Sequence, residues 1–156
     1  MAMARAADTP LTKLLNAYAT VVQWIDRAQP LFDLAVRIYV ARVFFLSGLT
    51  KLNDWNITLA LFENEYHVPL LPVPLAATLG TGAELLLPAL LAAGLASRFS
   101  AVALFVFNIV AVLSYPDLSD AGLKDHMLWG ALMLVTFFHG PGKLSLDAWL
   151  LRPRAP

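Results

Sequence analysis

Four residues could do chemistry at one level of an otherwise apolar chain: Arg42, Glu84, Asn108 and His126. Glu84 stands in "LGTGAELLLPALLAAGLA", where every other residue is apolar or small and uncharged apart from the hydroxyl of Thr81. A carboxylate in such a segment must face a protein interior, a cavity or a counter-charge, because a lipid environment gives it no hydrogen bonds. Counted inward from the outer end of each apolar segment, the four groups lie roughly 12, 13, 12 and 9 Å deep at about 1.5 Å per residue. At about 100° per residue, Arg42 points roughly 140° away from Arg37, so the two arginines do not enter one pocket. Arg37 is near enough to the inner edge to snorkel or to pair with Asp33 one turn earlier. Arg42 is therefore the expected partner of Glu84. Two readings follow. One is a closed Arg42–Glu84 tie completed by Asn108 and His126. The other is a pocket in which Arg42 and His126 hold the polar head of a small hydrophobic molecule and Glu84 gives or takes a proton.

The segments that must carry these groups are helices. The chain of 156 residues is 59% hydrophobic and 14% charged, with a mean hydropathy of +0.67, which points to an integral membrane protein of all-α class. A span needs roughly 20 residues, and residues 31–50, 75–96, 99–117 and 120–140 meet or approach that length. The fourth is the shortest in strictly apolar residues and spans only if "DAGLKDH" is helical too. The expectation is a four-helix transmembrane domain over residues 31–156, preceded by an amphipathic interfacial segment over residues 1–30. In that segment Thr9 and Pro10 open a helix with Leu11, Leu14, Leu15, Tyr18, Val22 and Ile25 on one face, and Pro30 interrupts it.

Arg5, Lys13, Arg27, Arg37, Arg98, Lys143, Arg152 and Arg154 gather on the side of the termini, against Lys51 and Lys124 on the other. The positive-inside rule then puts both termini of this multi-pass arrangement in the cytoplasm, and in a bacterium the membrane would be the inner one. The N-terminus lacks the apolar core and cleavage site of a signal peptide, so it is expected to be retained. The connection from Asn53 to Pro74 holds a short helix that rests on the membrane or caps the bundle through Leu59, Leu61 and Phe62. Trp24, Trp55, Trp129, Trp149, Tyr66 and Tyr115 read as interfacial anchors.

Several classes are excluded or weakened. With no cysteine there is no disulfide, thiolate nucleophile or dithiol relay, so the side chains carry no electrons themselves. Zero formal net charge argues against nucleic acid as a partner. No nucleophile-elbow serine, phosphate loop or cluster of three strong metal ligands occurs in the sequence. Glu63 and His67, spaced i, i+4, are the one candidate metal pair, and they need the loop helix to continue through both.

The stretches "RVFFLSGLTKLNDW", "LALFENEYHVPLLP", "AELLLPALLAAGLASR", "DHMLWG" and "FHGPGKLSLDAWL" resemble the DoxX family of small bacterial membrane proteins over about residues 34–151. The motif positions are Ser47, Gly48 and Lys51, then Glu84, and then Gly140, Pro141, Gly142, Ser145, Leu146 and Asp147; Arg37 matches the family's first-span arginine better than Arg42 does. The resemblance implies a four-helix membrane bundle with both termini inside. It also implies an accessory role in redox, oxidative-stress or detoxification systems, with a protein partner or as a homo-oligomer among membrane lipid. Such a protein is not expected to be a stand-alone enzyme, though it could be a subunit of a quinone-linked oxidoreductase. No covalently bound cofactor is expected, and a quinone is the candidate ligand for the Glu84 level. A small transporter or a membrane maturation or assembly factor is the alternative.

Overall fold

The structure, a computed structural model, describes residues 9–151, and no strand occurs among them. Arg5, Arg152 and Arg154, counted above for orientation, lie outside the described residues, as does the segment 1–8. Six helices follow in order: α1 Pro10–Asn53, α2 Trp55–Asn64, α3 Val73–Ala93, α4 Ser97–Ser114, α5 Asp120–His139 and α6 Leu146–Leu150. The four expected segments fall largely on α1, α3, α4 and α5, with residues 94–96, 115–117 and 140 lying beyond the helix ends. Their ends follow local caps. Gly94 stops α3 in the left-handed region at φ 70°, and Ser119 caps α5 through Gly122 N–H.

Helix α1 departs from the expected break. Thr9 caps it and Pro10 occupies its first turn as read from the sequence, but the helix runs through Pro30 for 44 residues, about 66 Å at 1.5 Å per residue. Proline removes one N–H and leaves the Asp26 carbonyl without its helical partner. On a helix segment this exposed, solvent can satisfy that carbonyl. The stripe of Leu11, Leu14, Leu15, Tyr18 and Ile25 is consequently continuous with the bundle helix and stands exposed.

Four helices close into a ring: α1 packs on α3 and α5, and α4 packs on the same two. Val40, Phe44, Leu91, Ala101, Leu104 and Met133 fill the middle. The outward faces are apolar on all four helices, with Ile38, Phe45, Leu79, Leu86, Val106, Leu113, Met127 and Phe138 all exposed. By length and composition α3 and α4 are apolar enough to cross a membrane. Short α2 lies across the end of the ring where α1 finishes, its Phe62 packed with Ala76 and Ala77 of α3, so it caps the bundle as one of the two sequence expectations had it.

A clasp locks the opposite end. Arg37 is 1% exposed; it neither snorkels nor relies on Asp33, but turns inward. Its Nη1 donates to the carbonyls of Leu91 and Ala92 at 3.3 Å each, and its Nη2 donates to the carbonyl of Leu144. The last carbonyls of α3 lie beyond its regular ladder, Leu91 keeping only a turn bond from Gly94 N–H at 3.1 Å, and carry the negative end of the helix dipole, so a cation is favoured there. Asp147 completes the clasp by accepting from Ala96 N–H and Ser97 N–H at 2.8 Å each, which caps α4, while its own N–H donates to the Gly94 carbonyl. Gly142, at φ 73°, leaves room for Asp33, whose carboxylate would collide with any Cβ there. The Gly140–Asp147 motif is thus a structural fastener.

Burial pushes the Asp147 carboxyl up, but the N–H donors of Ser97 and Ala96, helped by the Arg37 charge, outweigh it and hold the carboxyl below its usual range. A depressed carboxyl stabilises the fold above its unfolded value and loses that contribution as pH falls through the folded one. Asp147→Ala should cost roughly 0.5–2 kcal/mol, the range for a lost cap. In thermal unfolding in detergent, the gap from wild type is expected to be full at pH 7. It should shrink as pH falls from about 3.9 and vanish below the lower folded value.

Candidate functional site

Serine, glycine and lysine at 47, 48 and 51 share one face of the last turns of α1. Lys51 Nζ donates to Glu84 Oε2 at 2.6 Å and to Oε1 at 2.9 Å. It also donates to Ser47 Oγ at 3.0 Å, and that hydroxyl in turn donates to Glu84 Oε1 at 3.2 Å. Both charged side chains are about nine-tenths buried. Gly48 permits the contact: a Cβ at that position would sit 2.9 Å from Leu85 and 3.0 Å from the Glu84 Cβ. Without that close approach of α1 to α3, the carboxylate would not reach the ammonium. An ammonium with all three protons taken is a fixed cation, not a free amine nucleophile.

The expected partner of Glu84 is thereby corrected. Arg42 is exposed on the outside of α1, about 100° per residue around the helix from the buried Ala41, and no contact joins it to Glu84. Arg37 lies fourteen residues from Lys51, about 21 Å along the helix, in the clasp. The stripe Arg37, Ala41, Phe44, Gly48 and Lys51 does face inward along its length; the signal for the right pair was the lysine at the end of that stripe with a serine one turn before it.

Asn108 and His126 come together. Asn108 Nδ2 donates to the His126 backbone carbonyl at 3.0 Å, and its Oδ1 lies 2.6 Å from His126 Nδ1. The His126 ring stands edge-on to Trp129 at 4.9 Å. Glu63 and His67 do not form a helical pair, because α2 ends at Asn64, and no group of three or more His, Asp or Glu is placed to hold a metal among the described residues. The His67 N–H instead donates to the Ser114 carbonyl at 2.7 Å, tying the loop to the end of α4.

Several of these groups line a cavity of about 420 Å³ at the α2 end of the bundle. Ser47, Lys51 and Glu84 form one side, and Phe107, Ser114, His126 and Trp129 another. Phe62 and Tyr66 roof it, with Tyr66 stacked edge-on against both Phe62 and Tyr115. Thr58 anchors that roof by donating to the Lys51 carbonyl at 2.7 Å. Trp129 Nε1 and Ser114 Oγ are buried without a hydrogen-bond partner. The sequence reading had Tyr66, Tyr115 and Trp129 as interfacial anchors; all three line the cavity, whereas Trp24 and Trp149 are exposed. An apolar chamber with a few convergent polar groups is the usual form of a small-molecule site.

Removing one partner of a buried pair leaves the other charge uncompensated, at a cost of about 3–5 kcal/mol. Glu84→Leu and Lys51→Met should each lower the unfolding temperature in detergent strongly, and the double variant should recover most of the loss. Arg42→Leu is expected to change it little. A large effect of Arg42→Leu, or no recovery in the double variant, would sink this assignment.

Comparison with known proteins gives a family model, DoxX, that matches residues 32–116. The matched stretch holds Arg37, Ser47, Gly48, Lys51, Glu84 and Asn108, and ends before His126 and the Gly140–Asp147 clasp. An uncharacterized protein of Haemophilus influenzae is 34% identical over 121 residues, covering 73% of this chain and 80% of that protein. No solved structure matches. With a model spanning more than half of the sequence, and a relative aligned along most of both chains, the protein belongs to the DoxX family.

Proposed function

We propose that this protein is a multi-pass protein of the bacterial inner membrane that holds a quinone-like lipophile in the cavity beside Lys51 and Glu84, as an auxiliary component of a redox or detoxification system. The observation that carries the reading is the cavity itself: about 420 Å³ of aromatic and aliphatic wall with a self-neutralised ion pair on one side and His126 on another. That volume suits a substituted ring. Exposed Leu71, Leu79 and Val110 stand at its rim, and this supports entry from the acyl-chain region, where a lipophile is dissolved.

The membrane arrangement is supported by the inside-out distribution of polarity. Helices α3 and α4 qualify on their own; α1 and α5 add apolar outer faces, while Arg37, Lys51 and Asn108 are turned inward and buried. Exposed Lys13, Arg27, Arg98 and Lys143 lie toward the clasp end, which supports a cytoplasmic clasp and an outward-facing roof. The exposed apolar stripe of α1 before the bundle supports contact with the membrane surface or a partner protein.

Native mass spectrometry with lipid extraction tests the reading on detergent-purified full-length protein. Wild type is expected to carry a co-purifying ring-headed lipophile, and Ala83→Trp, which fills the cavity, is expected to lose it while keeping its helical circular dichroism. An empty wild type that also fails to take up either added decylubiquinone or added decylubiquinol would overturn the reading. It would leave Lys51–Glu84 as a structural tie.

A further inference from the structure

We infer that Asn108 sets His126 as a hydrogen-bond acceptor toward the cavity, so that the site selects a lipophile bearing a ring hydroxyl, the hydroquinone or phenol form, over the matching carbonyl form. The inference rests on the cavity being a binding site and adds which chemical state of the ligand it prefers.

The argument is one of donors and acceptors. A backbone carbonyl can only accept, so the Asn108 group facing the His126 carbonyl at 3.0 Å must be its NH₂. The amide oxygen is thereby turned to His126 Nδ1 at 2.6 Å. That oxygen can only accept, so Nδ1 carries the hydrogen. Asn108 is 4% exposed, and both ends of its amide are engaged by His126 of α5. A neutral imidazole has a single N–H, and Nε2 on the far side of the ring therefore keeps its lone pair.

The ring stays neutral for a physical reason. It packs on Trp129, and its one hydrogen-bond partner among the described residues is the uncharged Asn108. The charges lining the same cavity, Lys51 and Glu84, already cancel each other at 2.6 Å. Asp125, next in the chain, is exposed and points about 100° away around α5. A second proton on His126 would put an uncompensated cation into an apolar wall.

His126 lines the cavity, and with Nδ1 engaged by Asn108 the ring nitrogen left for an occupant is Nε2 with its lone pair. A ring hydroxyl can donate to it, whereas a quinone carbonyl would set two acceptors against each other and leave both unpaired. Lys51 and Glu84 are already engaged with each other and with Ser47, so the discrimination falls to His126.

Full-length protein in detergent micelles would be incubated anaerobically with an equimolar mixture of decylubiquinol and decylubiquinone and repurified. The bound ligand would then be released and both forms quantified. Wild type should retain the quinol over the quinone by about tenfold, the scale of one hydrogen bond against an unpaired buried acceptor. Asn108→Leu, which frees the tautomer, and His126→Phe, which removes the acceptor, should each still bind ligand but bring the ratio to within about twofold of unity. A wild-type ratio near one overturns the inference, as does a quinol preference that persists in His126→Phe. The His126 variant and the wild-type ratio decide the matter even where Asn108→Leu fails to fold. Total bound ligand separates the two proposals: no uptake of either form by wild type overturns the binding site itself.

Discussion

The half of the molecule beneath α2 depends on a carboxylate and an ammonium held 2.6 Å apart between α1 and α3. Two charges taken out of water are costly, and their attraction offsets that cost only when geometry is good and the remaining protons and lone pairs are filled. Ser47 fills them by accepting from Lys51 and donating to Glu84, and Gly48 lets the helices come close enough for the contact. The pair fixes the register of α1 against α3. It also fixes where α2 begins, because Thr58 bonds to the Lys51 carbonyl.

The other end is fastened by different physics. There the work is done by helix termini: α3 ends on carbonyls that Arg37 covers, and α4 begins on N–H groups that Asp147 covers. Positive-φ glycines at 94 and 142 let the chain turn tightly enough to bring these caps in. A bundle tied at both ends, with its tight core toward the clasp, has its open volume under the α2 roof. This places the cavity next to the ion pair rather than in the centre of the bundle.

Much of this was legible beforehand. Apolar lengths gave the helices to within a few residues, since burial of a 3.6-period face and turn residues at the ends dictate them locally. The Thr9–Pro10 start was readable for the same reason. Pro30 misled, because the rule that proline breaks helices concerns interior positions without another partner for the freed carbonyl. Glu84 was singled out correctly as a residue needing company, but depth alone chose the wrong company. Arg42 is nearly level with Glu84 when counted from helix ends, yet it faces outward.

Sequence by itself determined the family, the helical class, the positions of the long segments and the fact that Glu84 had to be compensated. The family follows from the resemblance of its motifs along the chain, and the other properties follow from composition and from periodicity within single helices. Only the tertiary structure decided that Lys51 is the counter-charge, that Arg37 belongs to the opposite end, and that Tyr66, Tyr115 and Trp129 wall a cavity instead of anchoring at an interface. Each of these depends on how one helix is rotated and slid against another. A rotation of about 100°, a single residue step, is enough to exchange a buried partner for an exposed one.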